Sequence, residues 1–342
     1  MRLDPAVQQF IDANAGELLN HLDVAEQRRY MRLLIDLNFL RFSRPGPEVH
    51  SVTDHIVAVD DGKIRCRIYR PGDEPALPAH IALHGGGWWQ GSIDDRICDA
   101  ICRQRCIQGH VVVVAVGYRL APEHQFPTGL NDAYAALQWI SEHADRLRID
   151  ADTISVGGSS AGGNLAAALA IKARDRGGPE LCFQLLEVPA LDLTLATSRH
   201  TAATVAGQDL SGELDVAVTR YLADPRHAKH PLASPLLADD LRGLPPAVIF
   251  TAEYDPLRSD GERYAARLNA AGVPARAIRH PGALHGSAML TRTWPRPWPG
   301  NGMPQARCGA RTGRHPTSRR GDRGEVVLPA GIVSCADYSL VH

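Results

Sequence analysis

Asp152-Thr-Ile-Ser-Val-Gly-Gly-Ser-Ser-Ala-Gly-Gly-Asn-Leu-Ala-Ala-Ala-Leu-Ala-Ile-Lys-Ala-Arg-Asp-Arg176 is the stretch from which the rest of the chain is read. Ile154 and Val156 alternate with small polar residues, as in a short buried strand, and the Ala- and Leu-rich second half keeps helical spacing up to the stop at Gly177-Gly178. Strand therefore gives way to helix at Gly158-Ser159-Ser160-Ala161-Gly162, a Gly-x-Ser-x-Gly pattern with Ser160 at the apex of a nucleophile elbow. A serine on so tight a turn takes a strained backbone with its hydroxyl projecting. Side chains two residues to either side would collide as strand and helix close up, and Gly158 and Gly162 remove them. The N–H of Ala161, at the free amino end of the helix, is placed to stabilise an oxyanion.

Upstream, Val111 to Val116 is a continuous apolar run that suits a central parallel strand. A helix is expected before it over Arg96 to Gln108, and another after it over Asn131 to Ser141. Pro78 to Leu83 reads as a strand ending in His84-Gly85-Gly86-Gly87-Trp88-Trp89. Successive glycines let backbone approach a ligand closely and turn N–H groups inward, so amides of Gly85, Gly86 and Gly87 are candidates for the same oxyanion site. His84 reads as a loop-holding residue, because a base is expected after the nucleophile; Trp88 and Trp89 suit either an acyl-pocket wall or plain packing. Val49 to Val59 and Ile64 to Tyr69 flank Asp60-Asp61-Gly62-Lys63, a hairpin signature. Residues 1–44 read as two helices, Pro5 to Leu22 and Ala25 to Phe42, the second apolar over a wide arc and suited to a lid.

Downstream, Cys182 to Val188 is a predicted strand, and a helix over Gly212 to Leu222 lies in a mixed segment, about 193–237, that would complete the lid. Ala247 to Thr251 is the next strand, with Glu253, Asp255 and Asp260 as acidic candidates at or beyond its carboxyl end, the edge where ligands gather in open α/β sheets. Asp260 belongs to the following helix and reads as a solvated charge or as an N-terminal helix charge. Pro274 to Arg279 is a last strand, and the histidines His280 and His285 follow it.

His84-Gly-Gly-Gly-Trp88, Tyr118-Arg-Leu-Ala-Pro-Glu-His124, Gly158-Ser-Ser-Ala-Gly-Gly163 and Asp255-Pro-Leu-Arg258, in this order, make residues 1 to about 290 resemble the hormone-sensitive-lipase-like family of α/β-hydrolase esterases. The resemblance implies an α/β-hydrolase fold: a mostly parallel central sheet flanked by helices, with a helical lid from residues 1–44 and the insertion within a 45–291 core. It implies hydrolysis of small carboxylic esters of short to medium acyl length by a Ser160–His285–Asp255 triad, with Gly85, Gly86, Gly87 and Ala161 at the oxyanion. It departs from the family at Ser159, where an Asp is usual, and at Gly117, where a polar residue is common. An amidase or lactonase could use the same triad, and a non-catalytic small-molecule receptor could use the same scaffold, though such receptors typically lose the histidine kept here.

The chain has 342 residues, 44% hydrophobic and 22% charged, enough for one large α/β domain, and its net charge of −1 gives no footprint for nucleic acid. The amino terminus has no apolar core of signal-peptide length and no run is long enough to span a membrane, so a cytoplasmic location is expected, with a small ester as partner and a homodimer as a compatible assembly. The odd count of 7 cysteines reads as reduced, with Cys98, Cys102 and Cys106 packing as small hydrophobes on one helix face. No metal or organic cofactor is called for, and Gly157 to Gly163 lacks the pattern of a phosphate loop. Residues 292–342 are rich in Arg, Pro and Gly without helical period, where family members would carry a closing helix; this tail is expected to be disordered or the product of a shifted reading frame, with a natural Arg-rich segment that binds something anionic as the alternative.

Overall fold

The computed structural model describes residues 22–196, 198 and 211–292, together with Ala6, Gln8, Gln9 and Asp12. The expectations for the first predicted helix and for the tail beyond residue 292 therefore lie largely outside the described residues. Strands β1 (Ser51–Val59), β2 (Gly62–Arg70), β3 (Leu77–Leu83), β4 (Val112–Gly117), β5 (Ile149–Ser159), β6 (Phe183–Glu187), β7 (Ala247–Tyr254) and β8 (Ala275–Leu284) form one sheet in the order β1-β2-β4-β3-β5-β6-β7-β8. The pairs β1–β2 and β2–β4 are antiparallel, and every later pair is parallel. The helices are α1 (Val24–Phe42), α2 (Arg96–Gly109), α3 (Thr128–Glu142), α4 (Ala144–Leu147), α5 (Ala161–Arg176), α6 (Ser211–Tyr221) and α7 (Arg258–Ala270).

The apolar run in β4 is buried on both faces because helices cover both. Val112, Val114 and Val116 join Ile81, Leu130, Leu137, Leu165 and Leu169 in one cluster, whereas Val113 and Ala115 face Tyr69, Cys102 and Cys106 in another. The buried-face reading of the α2 cysteines thus stands, and burial pushes the Cys106 thiol up to about 12. Cys66, Cys98, Cys102 and Cys106 are free.

Helix α1 starts at a capping box. Asp23 Oδ1 accepts from the N–H of Glu26 at 2.8 Å, and the Glu26 carboxylate accepts from the N–H of Asp23 at 3.0 Å. The helix buries Phe39 and Phe42 but leaves Tyr30, Leu33, Leu37 and Leu40 exposed along one stripe. Strand β8 runs farther than its sequence suggests, through Pro281 and Gly282 to Leu284. Proline at 281 and glycine at 282 read as a loop, yet β8 pairs only with β7 and so lies at the sheet edge, where a missing N–H is tolerated. Among the described residues no helix is long and apolar enough to cross a membrane.

Candidate active site

Strand β5 delivers Ser160 at its carboxyl end, where the chain turns into α5 with φ 57° and ψ −116°, a conformation an L residue adopts only under constraint. The constraint is backbone hydrogen bonding. The Ser160 N–H donates to the Glu187 carbonyl at 2.8 Å, and the Ser160 carbonyl accepts from Asn164 N–H at 3.0 Å. The elbow glycines are required by distance: a Cβ on Gly162 would lie 2.0 Å from the Leu83 carbonyl oxygen, and one on Gly158 would lie 2.4 Å from it. On its far side the elbow backs onto a buried ion pair between Arg105 and Glu187, whose side chains are each 3% exposed.

Three side chains from separate loops converge. His285 Nε2 lies 2.8 Å from Ser160 Oγ, and His285 Nδ1 lies 2.8 Å from Asp255 Oδ2. Asp255 is fully buried at its side chain, and its Oδ1 accepts from the Leu257 N–H at 2.8 Å, which fixes the carboxylate in the turn between β7 and α7. Desolvation pushes the His285 imidazole down, but the adjacent Asp255 carboxylate, with a smaller contribution from Glu213, outweighs it and leaves the histidine above its ordinary value. The arrangement can take a proton from Ser160 at one nitrogen while the carboxylate holds the other.

The rival acids have other work. Glu253 accepts from the Gly282 N–H at 2.7 Å, pinning the irregular part of β8 just ahead of His285. Asp260 is not the solvated helix charge its sequence suggests: it is fully buried and accepts the N–H groups of Leu191 and Asp192 at 3.0 and 3.1 Å. The loop after β6 presents free donors there, and the first turn of α7 is the nearest acceptor. His280 sits within β8, on the strand and away from the Ser160 hydroxyl that His285 meets.

The loop after β3 lies against the elbow; a Cβ on Gly85 would be 3.0 Å from the Ser159 carbonyl oxygen and 3.7 Å from Ser160 Cβ. Gly86, Gly87 and Trp88 follow with φ of 115°, 58° and 62°, a left-handed run. Such a run turns successive N–H groups to one side. Among the described residues, the N–H groups of Gly86, Gly87 and Ala161 meet no protein acceptor. His84 stacks on Tyr118 with centroids 4.2 Å apart, its Nδ1 lies 2.8 Å from the Gly85 carbonyl, and burial pushes it down to about 4. Trp88 stacks on Tyr221 of α6 at 4.5 Å, and Trp89 lies under the Arg220 guanidinium at 4.0 Å. At Gly117 space is tight: a Cβ would lie 3.0 Å from the Arg65 carbonyl oxygen.

Two residues that the sequence did not mark hold this site. Asn164 is fully buried, donates to the carbonyls of Ala190 and Ala233 at 2.7 and 2.8 Å, and accepts from Trp88 Nε1 at 3.3 Å. Arg28, on α1, reaches the loop after β3 from outside. An Asn in an Ala-rich helix and an Arg among several in α1 carry no spacing signal, so neither stood out. Among the described residues no cluster of His, Cys, Asp and Glu could hold a metal ion.

A family described as alpha/beta hydrolase fold matches residues 80–289. The chain is 39% identical over 301 residues to the carboxylic ester hydrolase LipN of Mycobacterium tuberculosis, covering 84% of this chain and 77% of that protein. It is 37% identical over 295 residues to an arylesterase of Saccharolobus solfataricus, covering 86% and 94% of the two. Among solved structures, the hyperthermophilic esterase of Pyrobaculum calidifontis superposes with a TM-score of 0.79 at 38% identity, over 85% of this chain and 92% of that one.

Proposed function

The chain belongs to the α/β-hydrolase family, among its hormone-sensitive-lipase-like esterases, and is a carboxylic ester hydrolase; from that premise we propose that it cleaves small esters through an acyl-enzyme on Ser160, with His285 as base and Asp255 as its orienting acid. One observation carries the reading: a single imidazole lies 2.8 Å from both the Ser160 hydroxyl and the Asp255 carboxylate.

In the first half-reaction His285 Nε2 takes the Ser160 proton as Oγ bonds to the ester carbonyl carbon, and the carbonyl oxygen becomes an oxyanion. The N–H groups of Gly86, Gly87 and Ala161, which meet no acceptor among the described residues, are the donors that would receive that charge, and Gly85 gives the loop its close approach to the elbow. Asp255 stabilises the imidazolium without taking its proton. The imidazolium then protonates the alkoxy oxygen as the C–O bond breaks, releasing the alcohol and leaving the acyl group on Oγ. In the second half-reaction water gives a proton to His285 as its oxygen attacks the acyl carbon; collapse returns that proton to Ser160 and releases the carboxylic acid. Every step uses groups of the chain and water.

Purified protein should hydrolyse p-nitrophenyl butyrate, and Ser160→Ala should lower kcat by at least ~10³-fold with the folded structure intact. A folded Ser160→Ala variant that keeps its rate would remove Ser160 as nucleophile.

A further inference from the structure

The loop that carries the candidate oxyanion donors is strained and is held only in part by its own hydrogen bonds. Three consecutive residues, Gly86, Gly87 and Trp88, have positive φ, and for a residue as bulky as tryptophan that conformation persists only where the surroundings impose it. Within the loop, the N–H groups of Trp89 and Gln90 return to the Gly86 carbonyl at 3.2 and 3.0 Å. The remaining holds come from elsewhere in the chain.

Arg28 supplies the most connected of them. Its Nε donates to the Trp89 carbonyl at 2.6 Å, and Nη2 donates to the Ala121 carbonyl. Its two terminal nitrogens also take the Glu123 carboxylate side by side, at 2.8 and 2.6 Å. Ala121 is itself bonded to the neighbouring residue of the loop, its N–H donating to the Trp88 carbonyl at 3.0 Å. One guanidinium therefore closes a ring from Trp89 to Arg28 to Ala121 to Trp88. A planar fork with five fixed donors can serve two carbonyls and a carboxylate together, which an ammonium cannot. Next to it, Gln27 accepts from Arg220 at 2.7 Å while the Arg220 guanidinium covers the Trp89 ring, so α1 and α6 grip the loop through adjacent residues.

We propose that Arg28 is a positioning residue: by fixing the Trp89 and Ala121 carbonyls it holds the Gly86–Trp88 backbone in the left-handed run that aims its N–H groups at the developing oxyanion. This rests on the reading of Ser160 as nucleophile. Arg28 touches no substrate. Its contribution lies in the transition state, because a loop that relaxes still admits ester but presents its donors at the wrong place.

The test is steady-state kinetics on p-nitrophenyl butyrate with Arg28→Met, beside Ser160→Ala, and with near-UV circular dichroism establishing the folded fraction. Arg28→Met is expected to lower kcat by about 10- to 100-fold while KM stays within about twofold. A trifluoromethyl ketone with a short alkyl chain, whose adduct places an oxyanion in the same site, should lose affinity by a similar factor. If Arg28→Met does not fold, Arg28→Lys carries the same comparison, since it keeps the charge opposite Glu123 but not the fork. A folded variant with kcat within about twofold of the parent, or a loss confined to KM, overturns the proposal while an inactive Ser160→Ala leaves the triad standing. An active Ser160→Ala overturns both.

Discussion

His285 is pulled in two directions. Desolvation favours its neutral form, the Asp255 carboxylate and, more weakly, Glu213 favour the cation, and the carboxylates win, leaving the group above its ordinary value of 6.5. On the proposed mechanism His285 must be neutral to accept the Ser160 proton, so the acid limb of the kcat/KM profile is expected to turn above pH 6.5. Asp255→Asn removes the larger cationic preference and leaves desolvation, so the limb should move to lower pH while kcat falls by roughly 10⁴-fold; a limb that stays in place would detach it from His285. Ser160 could be read from sequence because its two flanking glycines are dictated by contacts with the Leu83 backbone, which no other residue type could satisfy. His285 and His280 were harder to separate. Both follow a strand-like run, and only the extension of β8 through Pro281 puts one in the strand and the other at its end.

At the scale of elements, α7 is fastened to the loop after β6 by one carboxyl. Burial, only partly offset by the Leu191 and Asp192 N–H groups and reinforced by the nearby Asp192 and Asp255 charges, raises Asp260 from 3.8 to about 7. The folded chain therefore holds this proton more tightly than the unfolded chain does. Its stabilising contribution is full below pH 3.8, is lost as pH rises toward about 7, and is constant beyond. At ~1.4 kcal/mol per unit the change is on the order of 4 kcal/mol. Asp260→Asn cannot ionise, so its melting temperature minus that of the parent should climb between pH 5 and 7 and level off above about pH 8. A difference that is flat across this range would show that the carboxyl is ionised at little cost. Sequence placed Asp260 correctly in the first turn of a helix but could not say that the turn faces a loop with two free donors, because the loop comes from almost 70 residues away. The same limit hid Arg28, whose partners lie 61 to 95 positions downstream.

On the whole molecule, the apolar and mixed runs gave the α/β alternation because burial on both sides of a parallel sheet demands them, whereas the surface is set by what happens to lie opposite. Tyr30, Leu33, Leu37 and Leu40 of α1 form an exposed stripe, and exposed apolar area of this kind favours association. Leu37→Glu interrupts it and adds a carboxylate four residues before Arg41, so static light scattering should show less self-association with stability within about 0.5 kcal/mol and kcat unchanged. Equal scattering would place the association elsewhere. The two ends of the described core are tied together: the Arg292 N–H donates to the Phe42 carbonyl at 2.9 Å, and the Arg44 N–H donates to Thr291 Oγ1 at 2.8 Å. The imidazole that meets Ser160 stands 125 positions after it in the same chain. A ribosome adding about 5–20 residues per second delivers that histidine roughly 6–25 s after the serine. Throughout that interval the nascent polypeptide carries Ser160 without the imidazole that meets it, and the end of α1 waits for Thr291 and Arg292, which will anchor it. Birth of the proposed catalyst is thus a late event in translation, and a chain released before residue 285 lacks one of the three side chains that converge.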